Sequence, residues 1–164
     1  MVLTVRRPCS DPACAACRAG RQDFCLTGGF TERGIRGAHG YMTERVLEEE
    51  RYLVPVPAAL REVAVLIEPL TIAVKSLAQV GAIDARLPAA CRHSPASPHR
   101  ALVLGTVNAG RDHFDAAARD LGVFVSRWPD AVRGLITGRF PLERALEPLS
   151  GRAGGIKSVI AVGE

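Results

Sequence analysis

The 164-residue sequence has no long run of hydrophobic residues. Its longest apolar stretch, VAVLI at residues 63–67, is far shorter than the roughly 18 residues that a membrane-spanning helix needs, so we expect no transmembrane helix. The first residues, MVLTVRRPC, become polar too early for the apolar segment of a secretory signal. We therefore expect a protein of the cytoplasm, where cysteines stay reduced and can bind metal.

The sequence also lacks a concentrated basic surface and is poor in aromatic residues. The net charge is only +4, the basic residues are spread over both halves, and Phe, Trp and Tyr together make up 5% of the chain. Nucleic-acid binding needs dense phosphate contacts or aromatic platforms on which bases stack. The composition therefore predicts neither a nucleic-acid nor a membrane partner.

Four of the five cysteines lie close together near the N-terminus. Cys9, Cys14, Cys17 and Cys25 are separated by four, two and seven residues. Four thiolates on a short loop can hold a tetrahedral zinc ion whose coordination shell is closed, which is typical of a structural site. Two disulfides, disfavoured in a reducing compartment, and unligated cysteines are the alternatives. The fifth cysteine, Cys91, we interpret as an incidental thiol.

Periodicity and turn residues predict a mixed α/β fold. Residues 1–41 are rich in glycine and indicate turns and short strands, and residues 42–56 indicate a strand, a turn and a strand. Apolar residues at three- and four-residue steps predict a helix over residues 60–80. The expected elements after the proline-rich segment 81–100 are a buried strand at ALVLGTV, helices at RDHFDAAARDL, PDAVRGLI and PLERALEPL, and a strand at IKSVIAV.

Four polar residues need separate attention. On the residues alone, Glu32 is a solvated loop residue, His39 a partly buried turn residue and Asn108 part of a simple turn. Glu68 is the least expected residue, because it lies in an apolar helical segment, where an unpaired buried carboxylate costs several kcal/mol. It is therefore exposed, paired within the protein, or part of a site.

The order of several motifs resembles one enzyme family. VRRPC with the following cysteines and GRQDFC, then TERGIRGAHGYMTE, LVPVP and VAVLIEPLTIAVKS, resembles the glucose 1-dehydrogenase branch of the zinc-containing medium-chain alcohol dehydrogenase superfamily. GTVNAGRDHF, LITGRFPLE and GGIKSVI are similar to the end of the same enzymes. The resemblance implies a GroES-like β lobe with a structural zinc loop at residues 1–87. A linker would follow at 88–100, then a Rossmann remnant that returns to the first lobe at 101–164.

The resemblance also implies roles for individual residues. The four cysteines would bind the structural zinc, although the spacing between Cys9 and Cys14 is wider than usual. Glu32 and His39 would contact sugar hydroxyls, Asn108 would lie near the nicotinamide ring, and Glu68 would bind the catalytic zinc directly or through water. The implied cofactors are zinc and NAD or NADP, and the implied substrate is a sugar. Association into a homo-oligomer stays open.

Two parts of the family pattern are missing from the sequence. The family carries further catalytic-zinc ligands before the cysteine loop, and a glycine-rich turn that binds the dinucleotide after the ALVLG strand. Here ALVLG runs directly into TVNAG, and Gly105 and Gly110 miss the G-x-G-x-x-G spacing. We therefore expect an N-terminally and internally truncated oxidoreductase, incomplete for oxidising the sugar C1 hydroxyl to a lactone. The alternative is a non-catalytic, zinc-stabilised structural or interaction module.

Overall fold

A computed structural model describes residues 1–87, 103–151 and 154–163. It shows a mixed α/β fold, as the sequence predicts. The strands are β1 (Val2–Leu3), β2 (Arg6–Arg7), β3 (Thr31–Arg33), β4 (Gly37–Ala38), β5 (Leu53–Val54), β6 (Ile136–Pro141) and β7 (Lys157–Ala161). The α-helices are α1 (Ala15–Arg18), α2 (Ile67–Asp84), α3 (Arg111–Arg127), α4 (Pro129–Gly134) and α5 (Leu146–Leu149).

The N-terminal part consists of turns and very short strands, as the sequence predicts. β1 pairs with β5 in antiparallel orientation, and β3 lies between antiparallel β2 and parallel β4. The expected first strand of the 42–56 segment is wrong, since residues 42–49 form neither helix nor strand. Val46 and Leu47 are 41% and 96% exposed, so this acidic segment has no apolar face to bury against a sheet.

The predicted helix at 60–80 is present but shifted towards the C-terminus. Two 3-10 turns, Ala58–Leu60 and Ala64–Leu66, precede α2. Pro69 does not break α2, because it lies in the first turn, where backbone N–H groups have no partner within the helix. The buried face of α2 carries Ile67, Thr71 and Lys75, whereas Leu77, which belongs to the predicted apolar stripe, is 72% exposed.

The segment 64–84 is long and apolar enough to cross a membrane by length and composition alone, and 22% of its apolar 18-residue window is buried inside the protein. The sequence-based expectation, which used uninterrupted apolar runs, did not identify it. Helices of water-soluble proteins meet the same criterion. Lys75, near the middle of this segment, is buried and ion-paired to a loop residue, Asp23. That pair places a loop of the protein, rather than lipid, against the middle of the helix.

The hydrophobic core lies where α2 and α3 pack together. α3 begins at Arg111, as predicted for RDHFDAAARDL, and buries residues at three- and four-residue steps along one face. These face the end of β5 and the turns before α2. The buried cluster consists of Val54, Leu60, Val63, Leu66, Ile67, Phe114, Ala117, Ala118, Leu121 and Val132.

The expected buried strand at ALVLGTV is wrong where the structure describes it. Residues 101 and 102 lie outside the described residues, and residues 103–110 form no strand. Val103 and Val107 are 96% and 69% exposed. The β-branched composition indicates a strand only if a neighbouring strand pairs with it, and no described strand does so.

The C-terminal helices and last strand form near their predicted positions, but the strand β6 (Ile136–Pro141) between α4 and α5 was not predicted, and Pro141 ends that strand instead of beginning a helix. α4 begins at Pro129, and PLERALEPL forms a 3-10 turn, Leu142–Arg144, followed by α5. IKSVIAV contains β7, which pairs in parallel with β6.

Candidate functional site

The four N-terminal cysteines come together in the structure. Their sulfur atoms all lie within 4.8 Å of one another. A tetrahedral zinc ion with Zn–S bonds of about 2.3 Å places its sulfur ligands roughly 3.8 Å apart, so the cluster fits such an ion. Cys14 is buried, and the other three are partly buried. Cys91, which we interpret as an incidental thiol, lies outside the described residues.

Loop amides and a hydroxyl surround these sulfurs. Backbone N–H groups of Cys17 and Leu26 lower the pKa of the Cys14 thiol. The Thr27 hydroxyl lowers the pKa of Cys25 to about 6, whereas burial raises the pKa of Cys17 to about 12. With the Cys9 N–H, which donates to Cys17 Sγ at 3.4 Å, the loop supplies hydrogen-bond donors at three of its four sulfurs, which suits a metal site.

A second polar cluster brings together Glu32, Arg6 and Asn108. Glu32 lies on β3 directly opposite Arg6 on β2, and the two are 5% and 8% exposed. Arg6 Nη2 lies 3.5 Å from Glu32 Oε2. With the Asn108 amide oriented to satisfy its neighbours, Nδ2 donates to Glu32 Oε1 at 2.6 Å and Oδ1 accepts from Arg6 Nη2. The guanidinium also stacks on Phe30 at 3.6 Å.

This cluster has an unused hydrogen-bond donor. Arg6 Nε is buried and has no partner in the described part of the chain. A buried donor without a partner costs about 1–3 kcal/mol. The cluster therefore combines a buried carboxylate, a partly buried amide and a free N–H, which are the acceptors and donors that suit a polyhydroxylated ligand.

The two other predicted site residues lie outside this cluster. His39 is exposed after β4, where its carbonyl accepts a 3.5 Å hydrogen bond from Arg33. Glu68 is exposed in the first turn of α2, which is one of the alternatives that the sequence left open for it. Among the described residues, Glu68 joins no group of three potential metal ligands.

Sequence reasoning missed a buried ion pair next to the cysteines. Lys75 on α2 is 1% exposed, and its Nζ lies 3.0 Å from Asp23 Oδ2. Burial alone would raise the pKa of Asp23, but hydrogen bonds from Lys75 and Arg21 outweigh it and lower that pKa. The available signal was spacing, since Ile67, Thr71 and Lys75 lie four residues apart on one face.

It also missed the network around Glu48. This carboxylate accepts hydrogen bonds from Arg7 at 2.6 Å, Arg33 at 2.9 Å and the Tyr41 hydroxyl at 3.0 Å. Burial would raise the pKa of Glu48, but the hydrogen bonds from Arg7, the Glu49 backbone and Tyr41 lower it to about 2. The network fastens the irregular 42–49 segment to β2 and β3. A sequence rich in Glu and Arg gives no indication of which pairs form.

The chain is similar in sequence to part of known enzymes. Comparison with models of protein families gives no match. The glucose 1-dehydrogenase of Metallosphaera sedula is 44% identical over 141 residues, which cover 84% of this chain and 38% of the relative. That of Methanocella arvoryzae is 40% identical over 149 residues, covering 90% of this chain and 38% of the relative. The chain thus spans less than half the length of these relatives.

The fold is that of a solved structure, Haloferax mediterranei glucose dehydrogenase in complex with NADP, Zn and gluconolactone. The TM-score is 0.72 at 19% identity, covering 99% of this chain and 76% of that chain. This likeness confirms the predicted fold class. In the sequence comparison with the Haloferax mediterranei enzyme, 77 residues make up 22% of that enzyme's length. The 76% of the enzyme that the structural match covers is therefore more than three times as long as those 77 residues. That stretch is longer than the 164 residues of this chain, so part of it has no counterpart here.

Proposed function

Because the chain is homologous to part of the glucose 1-dehydrogenases, we propose that it is an oxidoreductase of the glucose or aldose type, dependent on zinc and on NAD or NADP. In this reaction the sugar C1 hydroxyl is oxidised to a lactone, the C1 hydrogen leaves as hydride to the nicotinamide, and the hydroxyl proton leaves to solvent. The observation in the structure that carries the proposal is the Arg6–Glu32–Asn108 cluster with its unused donor.

Four polar residues carry the proposed ligand contacts. Glu32 accepts, and His39 donates or accepts, hydrogen bonds with the sugar hydroxyls, and Asn108 orients the nicotinamide or the sugar. Glu68 would be a ligand of the catalytic zinc, directly or through water, together with ligands that the described residues do not supply. A zinc ion bound there would acidify the sugar hydroxyl.

The four cysteines have a separate, structural role. Cys9, Cys14, Cys17 and Cys25 hold one zinc ion whose coordination shell is complete, so this ion leaves no position for substrate. Zinc bound there would cross-link the loop that leads into β3.

We further propose that the chain divides into a lobe at 1–87, a linker at 88–100 and a Rossmann remnant at 101–164. The proposed location is the cytoplasm, and the proposed assembly is a homo-oligomer.

We propose further that catalysis is impaired in this chain. Dinucleotides bind where a glycine-rich turn brings a helix N-terminus close to the pyrophosphate. Before α3, residues 103–110 form no strand, and Gly105 and Gly110 lack the required spacing. Sugar recognition depends on β2 and β3 instead, so binding and turnover are separable in this chain.

The test measures both properties on the purified 164-residue chain loaded with zinc. Calorimetry should detect saturable glucose or aldose binding, lost in Glu32→Gln and kept in Glu50→Gln, a control at an exposed glutamate. Glucose-dependent reduction of NAD and NADP should stay far below that of a full-length relative. Comparable turnover would contradict the impairment, and absence of binding by any aldose would contradict the sugar site.

A second candidate function has one observation in its favour. β6 and β7 form a two-stranded parallel sheet, and no third described strand pairs with either. Parallel sheets are normally larger and covered on both faces, so open edges favour pairing with another chain. In this alternative the chain is a non-catalytic, zinc-stabilised module that binds a full-length homologue. Stable co-purification of the two would support it, and aggregation of the separate chain would oppose it.

A further inference from the structure

Lys75 makes contacts that the proposed sugar site does not use. Its ammonium donates to Asp23 Oδ2 at 3.0 Å and to the Val107 carbonyl at 3.2 Å, and lies 4.0 Å from the centre of the Phe24 ring. A charge this deeply buried is costly unless its partners are well placed. Asp23 and Phe24 are adjacent in the sequence and Val107 lies far from them, so Lys75 joins two distant segments of the chain.

One end of this connection is the cysteine loop. Asp23 lies in the 3-10 turn Gln22–Phe24, two residues before Cys25. Its side chain is fully buried, and Arg21 also contacts it at 3.4 Å. Asp23 further approaches the start of α3, since a methyl group at Gly110 would lie 2.9 Å from Asp23 Oδ1. A metal ion that fixes the cysteines would thus fix the position of Asp23.

The other end is the backbone beside Asn108. Asn108 has φ +57°, the left-handed region, and is the one non-glycine residue with positive φ among those described. This conformation costs about 1–2 kcal/mol and persists only where the surroundings impose it. The irregular segment 103–110 cannot supply that support through strand pairing. The described contacts that do so are Lys75 on the Val107 carbonyl, the Gly110 N–H on His113 Nδ1 at 3.0 Å, and the Asn108 amide on Glu32.

We propose that Lys75 is a positioning residue that couples the four-cysteine metal site to the Arg6–Glu32–Asn108 cluster. Metal binding orders Asp23, Asp23 holds the Lys75 ammonium, and Lys75 holds the Val107 carbonyl so that the next residue presents its amide to Glu32. Metal binding therefore raises the affinity of the cluster for its ligand. By thermodynamic linkage, binding of that ligand raises the affinity of the cysteines for metal by the same factor. Only the identity of that ligand as a sugar rests on the proposed function.

The test follows the structure around Asn108 by NMR and zinc by elemental analysis, in the full chain. Lys75→Met should keep one zinc per chain but speed hydrogen exchange of the Gly110 amide about tenfold or more. The chemical shifts of the Asn108 side-chain amide should move towards those of the unfolded chain. Lys157→Met, the same change at the only other lysine, should alter neither signal.

Two further arms keep the test decisive. If Lys75→Met fails to fold because Asp23 is left unpaired, the double variant Asp23→Asn/Lys75→Met removes both charges. It should show the same faster exchange at Gly110 and the same change of the Asn108 side-chain signal. Chelation of zinc from the unsubstituted chain, with α2 and α3 retained by circular dichroism, should reproduce it. Unchanged Gly110 exchange and Asn108 resonances in the substituted chain or after chelation would overturn the coupling. Glucose is not part of these readouts, so failure of the sugar site would be seen separately in calorimetry.

Discussion

At the scale of single residues, Glu48 provides an electrostatic contribution to stability that depends on pH. Its folded pKa of about 2 lies below the ordinary value of 4.5, so the unfolded chain binds more protons between these limits. The stabilisation is therefore complete above about pH 4.5 and disappears as the pH falls towards 2. Allowing for solvent screening near the surface, it amounts to roughly 2 kcal/mol.

Glu48→Gln should remove most of this pH dependence. Urea unfolding at pH 7, 5 and 3 should show that the free-energy difference between the original chain and Glu48→Gln is largest at pH 7 and shrinks by pH 3. Glu49→Gln is the control, because the side chain of Glu49 is 61% exposed in its pair with Arg51. If the difference in unfolding free energy stays constant from pH 7 to pH 3, the ionised Glu48 side chain is not the source of the pH dependence.

Asn108 allows backbone strain to be separated from side-chain bonding. Asn108→Gly keeps the left-handed conformation without strain but loses the amide contacts, whereas Asn108→Ala loses the contacts and is also strained. We expect both variants to unfold at lower urea concentrations than the original chain, and alanine to cost about 1 kcal/mol more than glycine. Equal stability of the two variants would show that the loop relaxes out of this conformation.

Which residues could be predicted from the sequence depends on how far apart their partners lie. The four cysteines are close in the sequence, so their spacing is enough to predict that they lie together. The contact of Glu32 with Asn108 spans 76 positions, so residue types could not predict it. The resemblance placed both residues in one site but gave no direct bond between them. Lys75 and Asp23 are 52 positions apart, and their pairing appears only in the fold.

At the scale of elements, α3 organises the core. Leu121 on its buried face is 2% exposed, and Val123 on the other face is 48% exposed. Leu121→Ala should lower the free energy of unfolding by about 2–4 kcal/mol, because it removes buried apolar surface and leaves a cavity. Val123→Ala should change it by less than about 0.5 kcal/mol. Similar costs at both positions, measured by urea unfolding, would mean that α3 is packed differently.

The contrast between α3 and its neighbours explains where periodicity predicts well. α3 has one apolar face and one charged face, so its buried side is encoded locally. α2 has apolar residues on several faces, and the buried one is selected by Asp23 and the Val107 carbonyl, which satisfy Lys75. The ALVLGTV segment has strand composition but, in its described part, no pairing partner. The composition of an element indicates which of its residues could be buried. Contacts with the rest of the fold determine which of them are buried.

At the scale of the whole molecule, the two ends of the fold are stabilised differently. Every fully buried member of the hydrophobic core cluster lies at or beyond Val54 in the sequence, and Val2 packs against the cluster while only partly buried. The first 50 residues are connected instead through ion pairs, cation–π contacts and the four cysteines. When a loop cannot bury enough apolar surface, metal coordination contributes directly to folding. Zinc should therefore stabilise the N-terminal part far more than the α2–α3 core.

Substitution of one ligand tests this division. Cys14→Ser should abolish stoichiometric zinc and lose hydrogen-exchange protection in residues 1–41, while the protected amides of α3 persist. Cys91→Ser is the matched control and should keep one zinc ion per chain and the original protection. Chelation of zinc from the original chain should reproduce the Cys14→Ser pattern, because both remove the same cross-link. If freshly purified, reduced protein holds no zinc and residues 1–41 are nevertheless protected, the cysteine cluster is not what holds this part of the fold together.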